Sequence, residues 1–237
     1  MSILTPAQIT QMIDLSAVRP ESDDEGVRVV VEAANRYACG LVSVLPAQTA
    51  LARRLLDELE VGSALRLGGN VGFPSGGQTT PIKAAETREL VALGCDELDM
   101  VVNMAALRAG RDADTLADIR AVVEGAAGIP VKVILECHYL TAAQIRTGCD
   151  LAIEAGAAFV KTGTGWAPTG ATNTRISIMK RHVGERIQIK AAGGIRSLDM
   201  ILEMYELGAR RFGISVRTGG PILAELAARK EPYETSE

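Results

Sequence analysis

Two lysines close short apolar runs, and each is followed at once by a glycine-rich turn. Ala158-Phe159-Val160-Lys161 leads into Thr162-Gly163-Thr164-Gly165, and Ile187-Gln188-Ile189-Lys190 leads into Ala191-Ala192-Gly193-Gly194. The two lysines are 29 positions apart, about one strand–helix repeat. A cation at the end of a buried strand is costly unless it is paired or deprotonated. Two ammonium groups on neighbouring strands favour the loss of a proton, and a neutral lysine is a nucleophile. Such an amine adds to an aldehyde or ketone to give a carbinolamine and then an iminium ion. The iminium is an electron sink, so a carbon–carbon bond beside it can break. Dehydration and enamine steps each need a proton carrier.

The elements that must position these residues follow an alternating pattern. Candidate strands are Met12–Ser16, Leu41–Leu45, Arg66–Val71, Glu97–Val102, Val131–Glu136, Phe159–Thr162, Ile187–Lys190 and Arg211–Ser215. Helical spacing fills the intervals. Val27, Val30, Val31 and Ala34 line up within Glu25–Ala38, and Leu51, Leu55 and Leu59 within Thr49–Leu59. Thr80-Pro81 opens a helix towards Leu93 and Gly94, Thr141 heads a capping box closed at Gly156, and Ser197 and Thr218 fit helix starts. Eight strands alternating with eight helices, without a linker, predict an α/β fold: a single (βα)8 TIM barrel over residues 1–237. Residues 1–10 form an N-terminal segment and the charged Lys230–Glu237 a loosely ordered tail. A doubly wound open sheet is the runner-up, but no GxGxxG turn follows the first strand.

Strand side chains alternate between faces. Helices cover the purely apolar sets, so the sets carrying Asp99, Lys132, Lys161 and Lys190 face the barrel axis. Their separations of 33, 29 and 29 residues put them on neighbouring strands. Any one of these residues alone reads as half of an interior salt bridge. Together, one carboxylate meets three lysines, and the charges do not balance unless Glu136 or Glu97 joins them. Asp99 is the available proton carrier. Parity does not decide which lysine would be the nucleophile.

Gly163-Thr164-Gly165, Gly193-Gly194 and Gly213-Ile214-Ser215 all fall where the last three strands end. Loops after the seventh and eighth strands of such barrels often bind phosphate through backbone N–H groups. Tight turns need glycine anyway, but three together predict an anionic tail on the substrate. Arg196 and Arg217 are either further charge for that tail or solvated loop residues.

Composition narrows the remaining classes. The 237 residues are 47% hydrophobic but only 3% aromatic, so aliphatic side chains must fill the core. A net charge of −4, without basic runs, gives no electrostatic case for nucleic acid. Cys39, Cys95, Cys137 and Cys149 lack CxxC spacing and read as small core residues; with only two histidines beside them, no metal or other cofactor is expected. His138 reads as a satisfied loop residue and His182 as solvent-facing. No apolar stretch reaches membrane-spanning length and no signal peptide is visible, so a cytoplasmic protein without membrane partners is expected. Barrels of this size are often homodimers, but no docking patch is readable.

Phe159–Gly165 continuing to Gly170-Ala171-Thr172, Ile189–Arg196, Glu97–Asn103, Val131–Glu136 and Gly72-Phe73-Pro74 closely resemble the deoxyribose-phosphate aldolase family, over about Asp14 to Ser215. The resemblance implies a class I aldolase, an aldehyde-lyase that splits the phosphorylated sugar 2-deoxy-D-ribose 5-phosphate into acetaldehyde and D-glyceraldehyde 3-phosphate. It implies that Lys161 forms the Schiff base, that Lys190 tunes it and that Asp99 shuttles protons. It also implies that Asp14, Lys132 and Thr164 support the pocket, and that Gly165, Gly193, Gly194 and Ser215 cradle the phosphate. Trp166, Val216 and Arg217 depart from the pattern near the cradle, and Ser43 stands where cysteine is often found. These departures leave room for a relative with a different substrate. A non-catalytic phosphometabolite-binding barrel should lack Lys161, Lys190 or Asp99, and all three are here.

Overall fold

The computed structural model describes residues 2–59 and 65–235. Among these, β1 (Ser2–Leu4) and α1 (Pro6–Gln11) precede a closed eight-stranded parallel barrel. Its strands are β2 (Ile13–Ala17), β3 (Leu41–Val44), β4 (Arg66–Val71), β5 (Glu97–Val101), β6 (Val131–Ile134), β7 (Phe159–Lys161), β8 (Gln188–Ala192) and β9 (Arg211–Ser215). Helices α2 (Asp24–Arg36), α3 (Thr49–Glu58), α4 (Thr80–Ala92), α5 (Met104–Arg108), α6 (Asp112–Gly125), α7 (Ala142–Glu154), α8 (Asn173–Val183), α9 (Leu198–Glu206) and α10 (Val216–Ala228) fill the connections. A last strand, β10 (Tyr233–Thr235), pairs antiparallel with β1. The (βα)8 expectation holds, with one strand–helix pair added in front, a short extra helix, α5, after β5, and one strand behind.

The local chemistry explains the boundaries. Thr141 and Gln144 close a reciprocal capping box at α7, and Ser197 caps α9 through the Met200 N–H. On α2 the buried residues are Val27, Val30, Val31 and Ala34, the stripe predicted from spacing. Thr218 is not a helix start: α10 begins at Val216 with Ser215 as its N-cap, so Thr218 lies in the first turn.

The barrel has two interiors of opposite character. Outward-pointing Leu98, Met100, Val131, Val133 and Ile189 pack beneath the helices, whereas inward positions carry charge. Register aligns those positions: Asp99 pairs with Lys132, Lys161 with Lys190, and Lys190 with Arg211.

The C-terminal tail differs from expectation. It is held as a strand, with Leu4 and Tyr233 both buried. Helix α10 starts at the C-terminal mouth after β9, and its 13 residues span about 20 Å. It therefore delivers β10 to the opposite end of the barrel, beside β1, while α10 itself packs on α1. Tyr233 packs under Arg229, 4.0 Å from the guanidinium to the ring centre, at the end of the barrel opposite the C-terminal mouth. Ser236 and Glu237 lie outside the described residues.

Candidate active site

Asp99 stands at the centre of the charged interior. Its Oδ2 accepts from Lys161 Nζ and from Lys190 Nζ, each at 2.6 Å, and its Oδ1 accepts from Lys132 Nζ at 2.9 Å. Asp14 faces Lys190 Nζ at 2.5 Å and also takes the Arg211 guanidinium. Glu97 holds Lys132 at 2.5 Å, Arg211 at 3.2 Å, and Arg66 from the barrel's lower rim. The sequence left the balancing carboxylate open between Glu97 and Glu136. Glu97 joins, together with Asp14, yet the four buried cations Lys132, Lys161, Lys190 and Arg211 still outnumber the three carboxylates.

Glu136 does not join. Strand β6 ends at Ile134, and Glu136 takes a left-handed backbone (φ 52°) that breaks the alternation predicted for it. Its Oε2 accepts the Thr164 N–H at 3.1 Å and the Thr164 hydroxyl. A Cβ on Gly163 would sit 2.6 Å from Glu136 Oε1, so a side chain there would push on this carboxylate. Glu136 thus clamps the loop that follows Lys161.

These surroundings divide the titrations. Burial alone would raise the Asp99 carboxyl, but Lys132, Lys161 and Lys190 outweigh it and hold it well below the usual range. Asp14 is likewise raised by burial and brought down to about 2 by Lys190, Arg211 and Lys132. For Lys190 burial wins over Asp14 and Asp99, and its pKa falls to about 8. Lys132 is also opposed by burial, but Asp99, Asp14 and Glu97 raise it. The group poised near neutrality is therefore Lys190, while the assigned proton carrier Asp99 is held as the anion between two amines.

A cavity of about 300 Å³ opens at the C-terminal mouth above this cluster. Lys161, Lys190 and Asp14 reach it from below; Thr164, Gly165, Gly193, Gly194 and Ser215 line one side. Asp99 and Lys132 are not among the lining residues and lie beneath the floor. Lys161 is the more accessible amine, its side chain 9% exposed against 1% for Lys190. On the lined side, Gly165, Gly193 and Gly194 all have positive φ. Ser215 caps α10 without a side-chain bond, so the first-turn N–H groups of that helix have no side-chain cap.

Four features of the site were not seen from sequence. Arg211 was taken only as a strand start, although it shares a two-residue parity with Gly213 and Ser215 that marks it as inward. Asn70, in register with Asp99, lines the cavity and donates to Ser43 Oγ at 2.9 Å and to the Val44 carbonyl at 2.7 Å. Arg19 reaches across the mouth to the Gly165 carbonyl at 2.8 Å. The fourth feature is the Glu136 clamp. Of the residues left open, Arg217 pairs with Glu21 at 2.7 Å, and Arg196 is exposed at the cavity rim. His138 is satisfied by Thr169 at 2.7 Å, and His182, expected in solvent, is tied to Asp150 at 2.9 Å. The four cysteines are buried, and burial pushes the thiols of Cys39, Cys95 and Cys137 up to about 12.

Known proteins are similar to this chain in sequence and fold. Residues 8–216 match the family model of the DeoC/LacD family aldolase. A deoxyribose-phosphate aldolase of Klebsiella pneumoniae is 45% identical over 229 residues, covering 97% of this chain and 92% of the relative. One of Sinorhizobium medicae is 43% identical over 225 residues, covering 95% and 90%. The solved deoxyribose phosphate aldolase of Aeropyrum pernix superposes with a TM-score of 0.85 at 25% identity, covering 94% of this chain and 93% of that one. By the extent of these matches, the chain belongs to the DeoC/LacD family of aldolases.

Proposed function

We infer that this protein is a class I aldolase that cleaves 2-deoxy-D-ribose 5-phosphate to acetaldehyde and D-glyceraldehyde 3-phosphate through a lysine Schiff base. The observation that carries it is the meeting of Lys161 and Lys190 on one oxygen of Asp99 beneath the mouth cavity. The names of the relatives supply the substrate.

The chemistry follows from the positions. Lys161, the amine more open to the cavity, adds to the aldehyde carbon of the open-chain sugar, and loss of water gives the iminium. Removal of the C3 hydroxyl proton then breaks the C2–C3 bond, its electrons entering the iminium to leave an enamine. Protonation of the enamine and hydrolysis release acetaldehyde and return Lys161. Asp99 orients both amines and passes protons between them. Lys190, with its pKa near 8, supplies and takes up those protons. Asp14 and Lys132 keep the pair in place from beside and below. The glycine cradle with Ser215 receives the phosphate, and Thr164 stays committed to Glu136. A cytoplasmic location and a homo-oligomeric assembly go with this reading; the Aeropyrum pernix relative is described as tetrameric. No helix among the described residues is long and apolar enough to cross a membrane.

Borohydride reduction in the presence of acetaldehyde is the test. A reduced adduct on the peptide containing Lys161 is expected. No adduct, or one on Lys190, overturns the assignment.

A further inference from the structure

The position after Gly165 holds Trp166, so no cation follows the cradle glycine along the chain. What Trp166 does instead is cross the mouth. Its indole Nε1 donates to the Val18 carbonyl at 2.9 Å, in the loop between β2 and α2. Arg19, the next residue of that loop, answers in the other direction: its guanidinium donates to the Gly165 carbonyl at 2.8 Å and lies 5.6 Å from the centre of the Trp166 ring. Phe73, from the loop after β4, meets Trp166 edge-on at 6.0 Å. Three loops from different strands thus hold one guanidinium at the cavity wall.

We propose that Arg19 is the side-chain cation that reads the anionic end of the substrate in this enzyme, held over the glycine cradle by Trp166. This rests on the aldolase reading with a phosphorylated substrate. Arg19, Gly165, Gly193 and Gly194 line the same cavity, and the turns of Gly165 and Gly193 touch: a Cβ on Gly193 would come within 3.3 Å of the Gly165 backbone. A guanidinium bonded to Gly165 is therefore beside both turns. It has five N–H donors, of which one is used on the carbonyl, and its fork matches a phosphate. The other two arginines at the rim are worse placed. Arg217 is 70% exposed and neutralised by Glu21. Arg196 is exposed, as Arg19 is, but among the described residues it makes no hydrogen bond or ion pair, so binding an anion requires it to be ordered from a free state. Arg19 is already fixed by the carbonyl and the ring, and pre-ordering lowers the cost of binding.

The measurement is the ratio of kcat/KM for 2-deoxyribose 5-phosphate to that for 2-deoxyribose. In Arg19→Met this ratio is expected to fall about ten- to a hundredfold, the range for lost charge-assisted hydrogen bonds. Arg19→Lys should recover part of it, because charge remains but the fork is lost. Trp166→Phe keeps a ring and loses the Nε1 bond, so it should reproduce a fraction of the Arg19→Met effect. The double variant should do no more harm than Arg19→Met alone. Inhibition by inorganic phosphate should weaken in parallel. Equal losses for both sugars in Arg19→Met would make Arg19 a structural tie and overturn the proposal. So would an unchanged ratio in Arg19→Met with the loss appearing in Arg196→Met or Arg217→Met. The Schiff-base reading is judged separately, by whether the unaltered enzyme gives the Lys161 adduct.

Discussion

Among the described residues, lysines are fully buried in two places, and the two solve the problem differently. Between helices α4 and α6, Lys83 meets Asp118 at 2.6 Å with neither side chain exposed. Lys83 also donates to the Val101 carbonyl at 2.9 Å, while Asp118 accepts from the Asn103 N–H at 3.2 Å and the Thr80 hydroxyl at 3.1 Å. One cation faces one anion, and neither lines a cavity above the interior cluster. Inside the barrel, four cations share three carboxylates, and one side of the cluster opens to the cavity. Burial lowers both Lys83 and Lys190. Burial of a lysine is thus no mark of function by itself; the mark is charge left unbalanced where a substrate can reach it. The two sites are also neighbours. Val101 and Asn103 follow Asp99 along the chain, so the closed pair pins the end of the strand that supplies the open one.

The largest test of this contrast is Asp99→Asn. It keeps the shape of the side chain but removes the charge that joins Lys161 to Lys190. We expect kcat to fall about a hundred- to ten-thousandfold, the usual share of positioned acid–base catalysis. Steady-state rates on the purified variant check this, and a loss under tenfold would show that Asp99 only holds the lysines. Next in size is Lys83→Met, which strands a buried carboxylate and should cost about 3–5 kcal/mol of stability. Denaturant unfolding gives that number. Pairing it with Asp118→Leu should return part of the stability, since an apolar pair often replaces a buried ion pair, less what is lost when the Asn103 N–H and the Thr80 hydroxyl give up their acceptor. The rate per folded molecule should stay within about twofold in the double variant, against the collapse expected for Asp99→Asn. If the double variant also lost its rate, the closed pair would have to be counted as part of the active site.

The open site was far more legible in the sequence than the closed one. Two-residue alternation marked the inward faces of the strands around Asp99, Lys132, Lys161 and Lys190. Register pairs Asp99 with Lys132 and Lys161 with Lys190, and the three lysines meet on the Asp99 carboxylate. Lys83 carries no such signal: on a helix a long cationic side chain reads as solvated, and nothing local announces that α6 will bring Asp118 to it. Glu136 misled for a related reason. Alternation holds only while the strand continues, and a left-handed residue after Ile134 turned the carboxylate towards Thr164. Arg19 and the β1–β10 pair were hidden because they depend on contacts over 146 and 233 positions, between loops and termini without periodicity. The choice of Lys161 over Lys190 as the Schiff-base lysine comes from resemblance, because both share the inward parity; the greater exposure of Lys161 is in keeping with it.

The smallest expected effect separates the cluster from the rest of the molecule by pH. Lys190 has a folded pKa of about 8 against an ordinary 10.5, so between those values the unfolded chain holds more protons than the folded one. Stability from this group therefore rises with pH across that window, and its burial costs most below pH 8. The buried thiols act with the opposite sign: held protonated up to about 12, they make the folded state keep protons that the unfolded chain releases near pH 9. Lys83 has the same sign as Lys190. The clean measurement is the difference between the unaltered protein and Lys190→Met, since the thiols and Lys83 are common to both and cancel. That difference should move in favour of the unaltered protein as pH is raised from about 8 towards 10, by a few kcal/mol at most. The activity of the unaltered enzyme should fall over the same range as Lys190 loses the proton it passes to Asp99, and the limb should be missing from whatever rate Lys190→Met retains. A flat difference curve would mean that Asp14 and Asp99 keep Lys190 charged across this range, and Lys190 would then not be the group that titrates in the cluster.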